Sequence, residues 1–384
     1  MNHTIASILY VITDLKLGGV PLHLSRLAFE MRRRGFEPCV VSLGELGPVA
    51  RTLRDDGIEV HGCGARGSWD IRVIGRLARI INKKRPDVVH ALLFHANVAA
   101  RRAARKAGFP NDRVVCEIQT AEVERRWHLL VDRFTQRGCR FIIGNSPSVI
   151  EHLHTRGKIA RDRLRLVKGG IDPAPLQNAI PIDRSALGIP MGGALILWVG
   201  RLDPVKGLGT LIRAFQSISA GTDAHLLLVG DGPLRKRFQN MIGRLGLTER
   251  VHLLGARDDV PSLLKAADVF AFPSRTEGLP NALLEAMAAG CPIVTTNVPG
   301  CRDLIEHERT GLVVPYSDTK ALATAILQLL HNRAGAERLG QRAAESVTQG
   351  WHIEQTFDAY ADVYEAIIAA DRGTTGDRPT AQTP

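Results

Sequence analysis

The feature that most constrains the fold of this chain is a regular alternation of short apolar runs with helical segments. Runs such as 5–12, 88–91 and 194–199 are rich in aliphatic residues, and each is followed by a segment with apolar residues at helical spacing. Alternation of this kind predicts β/α units that build parallel sheets. The predicted fold class is therefore α/β.

The alternation occurs in two series, which predicts two doubly wound, Rossmann-like domains. A looser stretch at 169–190, rich in Pro, Asp and Asn, separates them and is interpreted as a linker. We therefore predict one domain over 1–172 and another over 173–351, followed by a terminal helix over 352–371. The last residues, 372–384, are rich in Thr, Pro, Gly and Asp and are expected to be a disordered tail. The length of 384 residues agrees with two domains.

Two carboxylates, Glu277 and Glu285, bracket a turn and the start of a predicted helix. Asn281 is expected to be the helix N-cap. Residues 282–289 favour a helix, which is expected to end at Gly290. The apolar run 269–273 predicts a buried strand just before this loop, so the loop lies where open α/β sheets bind ligands. A helix N-terminus favours an anionic phosphate, and carboxylates accept hydrogen bonds from sugar hydroxyls. The alternative is an ordinary amphipathic helix on which Glu285 is a solvated residue.

A second loop, 200–207, follows the predicted strand 194–199 and carries two cations, Arg201 and Lys206. The planar guanidinium and the compact ammonium could together neutralise a diphosphate leaving group. The alternative interpretation is a solvated loop.

With seven residues between Glu277 and Glu285, and with Arg201 and Lys206 before them, the sequence resembles the family 4 retaining glycosyltransferases. The resemblance implies the GT-B fold, with two Rossmann-like domains facing a central cleft and a C-terminal helix that crosses back to the first domain. It implies a hexosyltransferase that moves a sugar from a nucleotide-diphosphate donor to an acceptor hydroxyl in polysaccharide or glycolipid synthesis. The first domain would bind the acceptor, and the second would bind the nucleotide-sugar.

The resemblance also assigns roles to individual residues. Arg201 and Lys206 would stabilise the diphosphate, Glu277 would orient the donor sugar, and these three would be the catalytic residues. Further donor contacts would come from the loops of both domains: Gly18, Gly19, Arg257, Gly278, Leu279, Pro280, Asn281 and Glu285. For Gly18 and Gly19 the alternative is a plain tight turn, and for Arg257 it is a solvated loop arginine.

One position departs from the family pattern. After the predicted strand 114–118, family members often carry a histidine that faces the donor sugar, whereas this sequence has Gln119. An amide can donate and accept hydrogen bonds but cannot transfer a proton at neutral pH. A mechanism that needs a side-chain acid or base at this position is therefore not expected.

Charge is unevenly distributed along the chain, whose formal net charge is +11. Residues 1–172 carry 30 Lys and Arg against 17 Asp and Glu, whereas 173–384 carry 20 against 22. Basic clusters at 32–34, 72–83 and 101–106 fall on predicted helices. They suit an anionic membrane or a phosphorylated acceptor, the alternative being solvated helix faces. Nucleic acid is not an expected partner, because aromatic residues make up only 5% of the chain.

Composition also bears on location and cofactors. No apolar run approaches the length of a membrane span, the first residues have no signal-peptide pattern, and the six cysteines form no C-x-x-C pair. We expect a cytoplasmic protein with reduced thiols, peripheral at the inner face of the cytoplasmic membrane. No Asp-x-Asp loop is present, so no metal site and no essential cofactor is expected. Two alternatives are a sugar-nucleotide epimerase of the same fold and a non-catalytic sugar-nucleotide-binding protein.

Overall fold

The structure is a computed structural model that describes residues 5–67, 70–119, 126–190 and 192–375. The chain divides into two compact units. The first comprises Met1–Lys168 with Thr356–Pro384, and the second comprises Gly169–Gln355.

The first unit is built from alternating strands and helices. In chain order these are β1 Ser7–Ile12, α1 Gly19–Arg33, β2 Glu37–Ser42, α2 Gly47–Asp55, β3 Glu59–Gly62, α3 Arg72–Lys84, β4 Val88–Leu92, α4 Phe94–Lys106, β5 Val114–Ile118, α5 Arg126–Thr135, β6 Phe141–Gly144, α6 Pro147–Thr155 and β7 Leu164–Leu166. The strands pair in parallel in the order β3-β2-β1-β4-β5-β6-β7.

The second unit repeats this plan. Its elements are α7 Ala174–Gln177, β8 Leu195–Val199, α8 Leu208–Ser219, β9 His225–Val229, α9 Arg235–Arg244, β10 Val251–Gly255, α10 Val260–Ala266, β11 Val269–Phe272, α11 Asn281–Ala288, β12 Ile293–Thr296, α12 Pro299–Arg302, β13 Leu312–Val314, α13 Thr319–His331 and α14 Arg333–Gly350. Its parallel sheet has the order β10-β9-β8-β11-β12-β13. The predicted α/β class with two parallel sheets is confirmed.

Strands β8 and β11 are apolar without interruption because both faces of their sheet are covered. Along β8, Ile196 and Trp198 belong to one buried cluster, whereas Leu195 and Leu197 belong to the cluster on the opposite face. Successive side chains of a strand point to opposite faces, so a strand covered on both sides must be apolar throughout.

The strand orders place the ligand-binding end of each unit. In the first sheet the order reverses between β1 and β4, and in the second between β8 and β11. Open α/β sheets bind ligands beyond the carboxyl ends of the strands at such a switch point. The loops after β1, β4, β8 and β11 are therefore the candidate site loops.

The last helix, α15 Ile353–Thr375, belongs to the first unit from Thr356 onward. Tyr360 and Tyr364 on this helix are almost fully buried. The Tyr364 hydroxyl lies 2.8 Å from His90 Nδ1, and Tyr360 donates a hydrogen bond to Glu117 Oε2 at 2.9 Å. Buried hydrogen bonds therefore attach α15 to β4 and β5.

Three features differ from the sequence-based expectations. Helix α14 was not predicted, because Gly335, Gly340 and Gly350 lower the helix propensity of that stretch. The expected linker at 169–190 contains α7 and buries Leu176 and Ile189 in the second unit. Helix α15 extends into the expected tail as far as Thr375, and 376–384 lie outside the described residues.

Among the described residues, no helix is both long enough and apolar enough to cross a membrane.

Candidate active site

The loops after β8 and β11 are joined by a hydrogen bond and by close packing. Arg275 N donates a hydrogen bond to Val205 O at 2.7 Å. Gly207 adopts φ +69°, and a Cβ at this position would lie 1.8 Å from Pro273 O. Only glycine combines this backbone angle with so close an approach. The two predicted site loops therefore form one rigid assembly at the switch point of the second sheet.

Within this assembly, Lys206 and Glu277 form an ion pair. Lys206 Nζ lies 2.7 Å from Glu277 Oε1, and the two side chains are 20% and 9% exposed. The ammonium also lies 5.6 Å from the centre of the Phe272 ring, within the range of a cation–π contact. The structure thus brings together two residues that the sequence assigned to different parts of the donor.

Arg201 is held less tightly. Its Nε lies 3.1 Å from Asp203 Oδ2, while 73% of its side chain is exposed. Asp203 is itself fixed, because its Oδ1 accepts a hydrogen bond from Val205 N at 3.1 Å. The guanidinium therefore stands at the surface of the loop, where a phosphate can reach it.

The helix with Glu285 begins one residue earlier than predicted. Pro280 occupies the N-cap position of α11 and Asn281 is its first residue, so the expectation that Asn281 is the N-cap is wrong. Pro280 adopts φ −80° and ψ 101°, an extended conformation in which it precedes the first helical turn, and no side chain caps the helix. Leu283 N already donates to Pro280 O at 3.0 Å, so among the described residues the backbone N–H groups of Asn281 and Ala282 are the ones left for another acceptor.

The residues around this turn differ in exposure. Gly278 and Pro280 are buried, Leu279 and Glu285 are half-buried, and Asn281 is exposed. A Cβ on Gly300 would lie 2.4 Å from Gly278 O, so the segment before α12 supports the turn by close packing. The predicted donor contacts from Gly278 to Asn281 thus lie on a supported turn next to the Lys206–Glu277 pair.

Arg257 lies after β10 and is already engaged. Its Nε and a terminal nitrogen donate to the two oxygens of Asp259 at 2.7 and 2.5 Å. The hydrogen bond from Arg257 lowers the pKa of the Asp259 carboxyl. Arg257 would have to share its guanidinium with Asp259 in order to contact a nucleotide.

In the first unit, Gly18 is the N-cap of α1 and Gly19 is its first residue. Both are exposed, and no side chain caps this helix. Gly18 has an extended φ of 176°, and a Cβ there would meet Pro21 Cδ at an ordinary 3.6 Å. Neither backbone conformation nor packing therefore requires a glycine at position 18.

Gln119 is oriented by the buried carboxylate of Glu117, for which the sequence pattern gives no signal. Gln119 Nε2 donates to Glu117 Oε1 at 2.7 Å, and His90 Nε2 lies 3.1 Å from Glu117 Oε2. Burial raises the pKa of Glu117, but the neighbouring His90, His23 and Gln119 together outweigh burial and hold the pKa below its ordinary value. His90 is completely buried in this network.

The first unit also contains a cavity of about 560 Å³ at the carboxyl ends of β1 to β4. Its wall is mainly apolar and aromatic, with Phe94, Val98 and Trp127 on one side, and it includes Lys16 and Arg102. Helical spacing alone gave no signal for this cavity, because its lining comes from six segments far apart in sequence. Half-buried His95 on α4 is part of the lining.

Comparison with known proteins gives matches over both units. The sequence profile described as "Glycosyltransferase Family 4" matches residues 17–175, and that described as "Glycosyl transferases group 1" matches residues 179–346. Together the two profiles cover most of the chain.

Two curated relatives illustrate the range of similarity. The UDP-Gal:alpha-D-GlcNAc-diphosphoundecaprenol alpha-1,3-galactosyltransferase of Escherichia coli is 25% identical over 320 residues, covering 78% of this chain and 80% of the relative. The N-acetyl-alpha-D-glucosaminyl L-malate synthase of Bacillus anthracis is 32% identical over 185 residues, which is 48% of this chain and 49% of that protein. This chain therefore aligns with about half the length of the second relative.

Among solved structures, Anabaena Alr3699/HepE in complex with UDP and glucose is similar with a TM-score of 0.82 and 22% identity. The match covers 94% of this chain and 100% of that structure. At this identity the similarity shows a shared fold.

Proposed function

This chain belongs to the family 4 glycosyltransferases, and we propose that it moves a sugar from a nucleotide-diphosphate donor to an acceptor hydroxyl with retention at the anomeric carbon. The observation that carries this proposal is the Lys206–Glu277 ion pair beside the exposed Arg201, at the switch point of the second sheet. Fixed charges of both signs on a rigid loop assembly suit a donor that has an anionic diphosphate and a neutral sugar.

The chemistry assigned to each residue follows from its charge. Negative charge grows on the diphosphate as the sugar leaves, and Arg201 and Lys206 stabilise it. Glu277 holds Lys206 before the donor arrives and then accepts hydrogen bonds from the sugar hydroxyls. Glu285 accepts hydrogen bonds from the ribose. The uncapped first turn of α11 adds backbone donors for the phosphates.

The proposal also assigns roles to residues of the first unit. Gly18 and Gly19 stand at the uncapped start of α1, and since neither packing nor backbone angle requires Gly18, close approach of a phosphate is the role we assign to it. Gln119, oriented by Glu117, is assigned a hydrogen bond to the donor sugar and no proton transfer.

The acceptor is proposed to be an anionic or lipid-linked glycan. The two curated relatives are named for L-malate and for a diphosphoundecaprenol acceptor, and both of these molecules carry negative charge. The basic first unit and the Lys16 and Arg102 side chains in its cavity agree with an acceptor of that charge.

The reaction is proposed to need no divalent metal, because Arg201 and Lys206 would neutralise the leaving group. The described residues contain one group of potential metal ligands, Cys39, Glu59 and His61, on strands β2 and β3. Lys84 already pairs with Glu59 there, which lowers the attraction of the group for a cation.

The proposed location is the cytoplasmic side of a membrane. All six cysteines are described, and all are free thiols, as is usual in a reducing compartment. The basic clusters that first motivated a membrane contact are partly neutralised: Glu30 pairs with Arg33 and Arg34, and Arg101 is buried against Asp132. A membrane contact must therefore be sought elsewhere on the first unit.

Both matching profiles and the galactosyltransferase relative are named for glycosyl transfer, so the epimerase and the non-catalytic alternatives are not favoured. A donor screen tests the proposal: UDP-, GDP- and ADP-sugars are compared by thermal shift, and the best donor is then incubated with polyprenyl-linked acceptors. Transfer with retention is expected. Exchange at C2 of the donor sugar without acceptor would instead identify an epimerase, and binding without turnover would identify a non-catalytic protein.

A further inference from the structure

Helix α5 exposes three large apolar side chains and buries two polar ones. Trp127, Leu130 and Phe134 are 43%, 52% and 79% exposed, and their spacing places them on one face of the helix. His128 and Asp132, four residues apart on another face, are 5% and 2% exposed. This orientation is opposite to that of an ordinary surface helix.

The orientation is fixed by specific contacts beneath the helix. Arg101 on α4 forms an ion pair with Asp132 at 2.7 Å, and both side chains are nearly inaccessible to solvent. The His128 ring stacks on the Phe94 ring with centroids 3.7 Å apart and an angle of 12°. Rotating α5 to bury its apolar face would break the ion pair and leave a charge buried without its partner, which costs several kcal/mol. The apolar face is thus held outward by the structure.

The segment that contains and follows this face is basic. The segment from Trp127 to Arg140 contains one carboxylate, the buried Asp132, and three exposed arginines, Arg133, Arg137 and Arg140. Arg133 follows Leu130 by three residues and is its neighbour on the helix surface. Apolar side chains that include tryptophan, bordered by arginines, are typical of helices that lie in the interface of an anionic bilayer.

The face also adjoins the first-unit cavity. Trp127 and Val131 of α5 line that cavity together with Ile71, whose side chain is 74% exposed. An acceptor held by its lipid in a bilayer would therefore pass directly from the docked face into an apolar cavity.

We propose that the apolar face of α5, formed by Trp127, Leu130 and Phe134, docks the first unit onto a bilayer leaflet that contains anionic lipid, with Arg133 and Arg137 contacting the headgroups. The choice of a membrane over a protein partner rests on the charge complementarity of the arginines. It also rests on the proposed function, since docking on a bilayer would bring the first unit to a lipid-linked acceptor.

The experiment is co-sedimentation of the full chain with vesicles of phosphatidylcholine alone or with about 30% phosphatidylglycerol. Wild type is expected to sediment with the anionic vesicles only. Phe134→Ser is expected to lower the vesicle partition coefficient about tenfold, because an exposed benzyl group no longer enters the bilayer interface. The pair Arg133→Glu and Arg137→Glu is expected to weaken it by about tenfold or more.

Matched controls are Phe29→Ser on α1, where Phe29 is 50% exposed, and the pair Arg338→Glu and Arg342→Glu on α14. They should bind vesicles like wild type. No vesicle binding by wild type, binding that ignores anionic lipid, or equal binding by the α5 variants would overturn the proposal. A wild-type dimer in sedimentation equilibrium that Phe134→Ser converts to monomer, without vesicle binding, would assign the face to a second copy of the chain.

The vesicle assay needs no sugar nucleotide, and donor binding by thermal shift needs no vesicles. Loss of donor binding with intact vesicle binding would therefore count against the proposed function alone. Intact donor binding and transfer to a lipid-free acceptor, without vesicle binding, would count against the docking surface alone.

Discussion

Lys206 and Glu277 lie 71 residues apart in the sequence, yet their charged atoms meet at 2.7 Å. The pair is positioned by the hydrogen bond between Arg275 and Val205 and by the packing of Gly207 on Pro273. A cation that is held in place before the substrate arrives needs little reorganisation when charge develops on the leaving group.

Lys206→Met is expected to lower kcat/KM for the donor roughly a hundredfold, since one fixed charge is lost from the transition state. Steady-state release of the nucleotide diphosphate measures this effect. Lys320→Met, which removes an exposed lysine from α13, is the control and should be close to wild type. A loss of less than about threefold in Lys206→Met would show that its charge is not used in the reaction.

Gly207→Ala is expected to destabilise the second unit by about 3 kcal/mol or more, because its Cβ would collide with Pro273 O at a backbone angle of φ +69°. Gly243→Ala on α9 is the matched change, since a Cβ there meets nothing within 4 Å. It should be neutral or stabilising by about 0.5–1 kcal/mol. Urea unfolding gives both values, and equal stability of the two variants would contradict the packing described for Gly207.

Asp132→Ala is expected to cost about 3–5 kcal/mol in urea unfolding, because it leaves the buried Arg101 guanidinium without a carboxylate. The exposed pair Arg161 and Glu151, whose side chains are 62% and 54% accessible, provides the comparison. Glu151→Ala should cost at most about 1 kcal/mol, as exposed pairs are screened by water. If both variants lost the same small amount, the Arg101–Asp132 pair would not determine the orientation of α5.

The stability of the second unit is expected to fall as the pH drops below neutrality. His225 Nδ1 and His252 Nε2 lie 3.1 Å apart, and burial lowers the pKa of each imidazole. The unfolded chain therefore binds protons at a higher pH than the folded chain, so stability is present above the unfolded histidine pKa of about 6.5 and is lost below it.

His252→Gln should reduce this loss of stability at acidic pH, measured as the difference in unfolding free energy between pH 7 and pH 5. His331→Gln, at the exposed end of α13, is the control and should follow wild type. An unchanged pH dependence in His252→Gln would mean that the pair does not contribute to it.

Transfer is expected to continue at its full rate in the presence of a chelator, because Arg201 and Lys206 neutralise the diphosphate in the proposed mechanism. The measurement compares initial rates before and after dialysis against EDTA, with and without added Mg²⁺. Complete loss of activity that Mg²⁺ restores would reject the metal-free mechanism. A metal-dependent enzyme measured under the same assay conditions would verify that the chelator is effective.

The sequence by itself predicted the parallel α/β units and the loops that carry the charged residues. The apolar runs of β8 and β11 indicate strands covered on both faces, and Arg201, Lys206 and Glu277 follow them directly. These signals are local, since a strand's burial appears in its own composition and a loop's position follows from the strand before it.

The tertiary structure decided what local signals cannot specify. It paired Lys206 with Glu277 and moved the start of α11 to Asn281. It also formed α14, where a Cβ on Gly340 would lie 2.1 Å from Gly290 O, so glycines that weaken the helix in isolation permit its packing.

Helix α5 shows why the sequence predicts a helix but not which face of that helix is buried. Its periodicity alone would place Trp127, Leu130 and Phe134 toward the core, because apolar faces are usually buried. The ion pair between Asp132 and the buried Arg101, 31 residues earlier in the chain, outweighs that preference. The sequence thus determined which elements form, whereas contacts between residues distant in sequence decided which faces and charges meet.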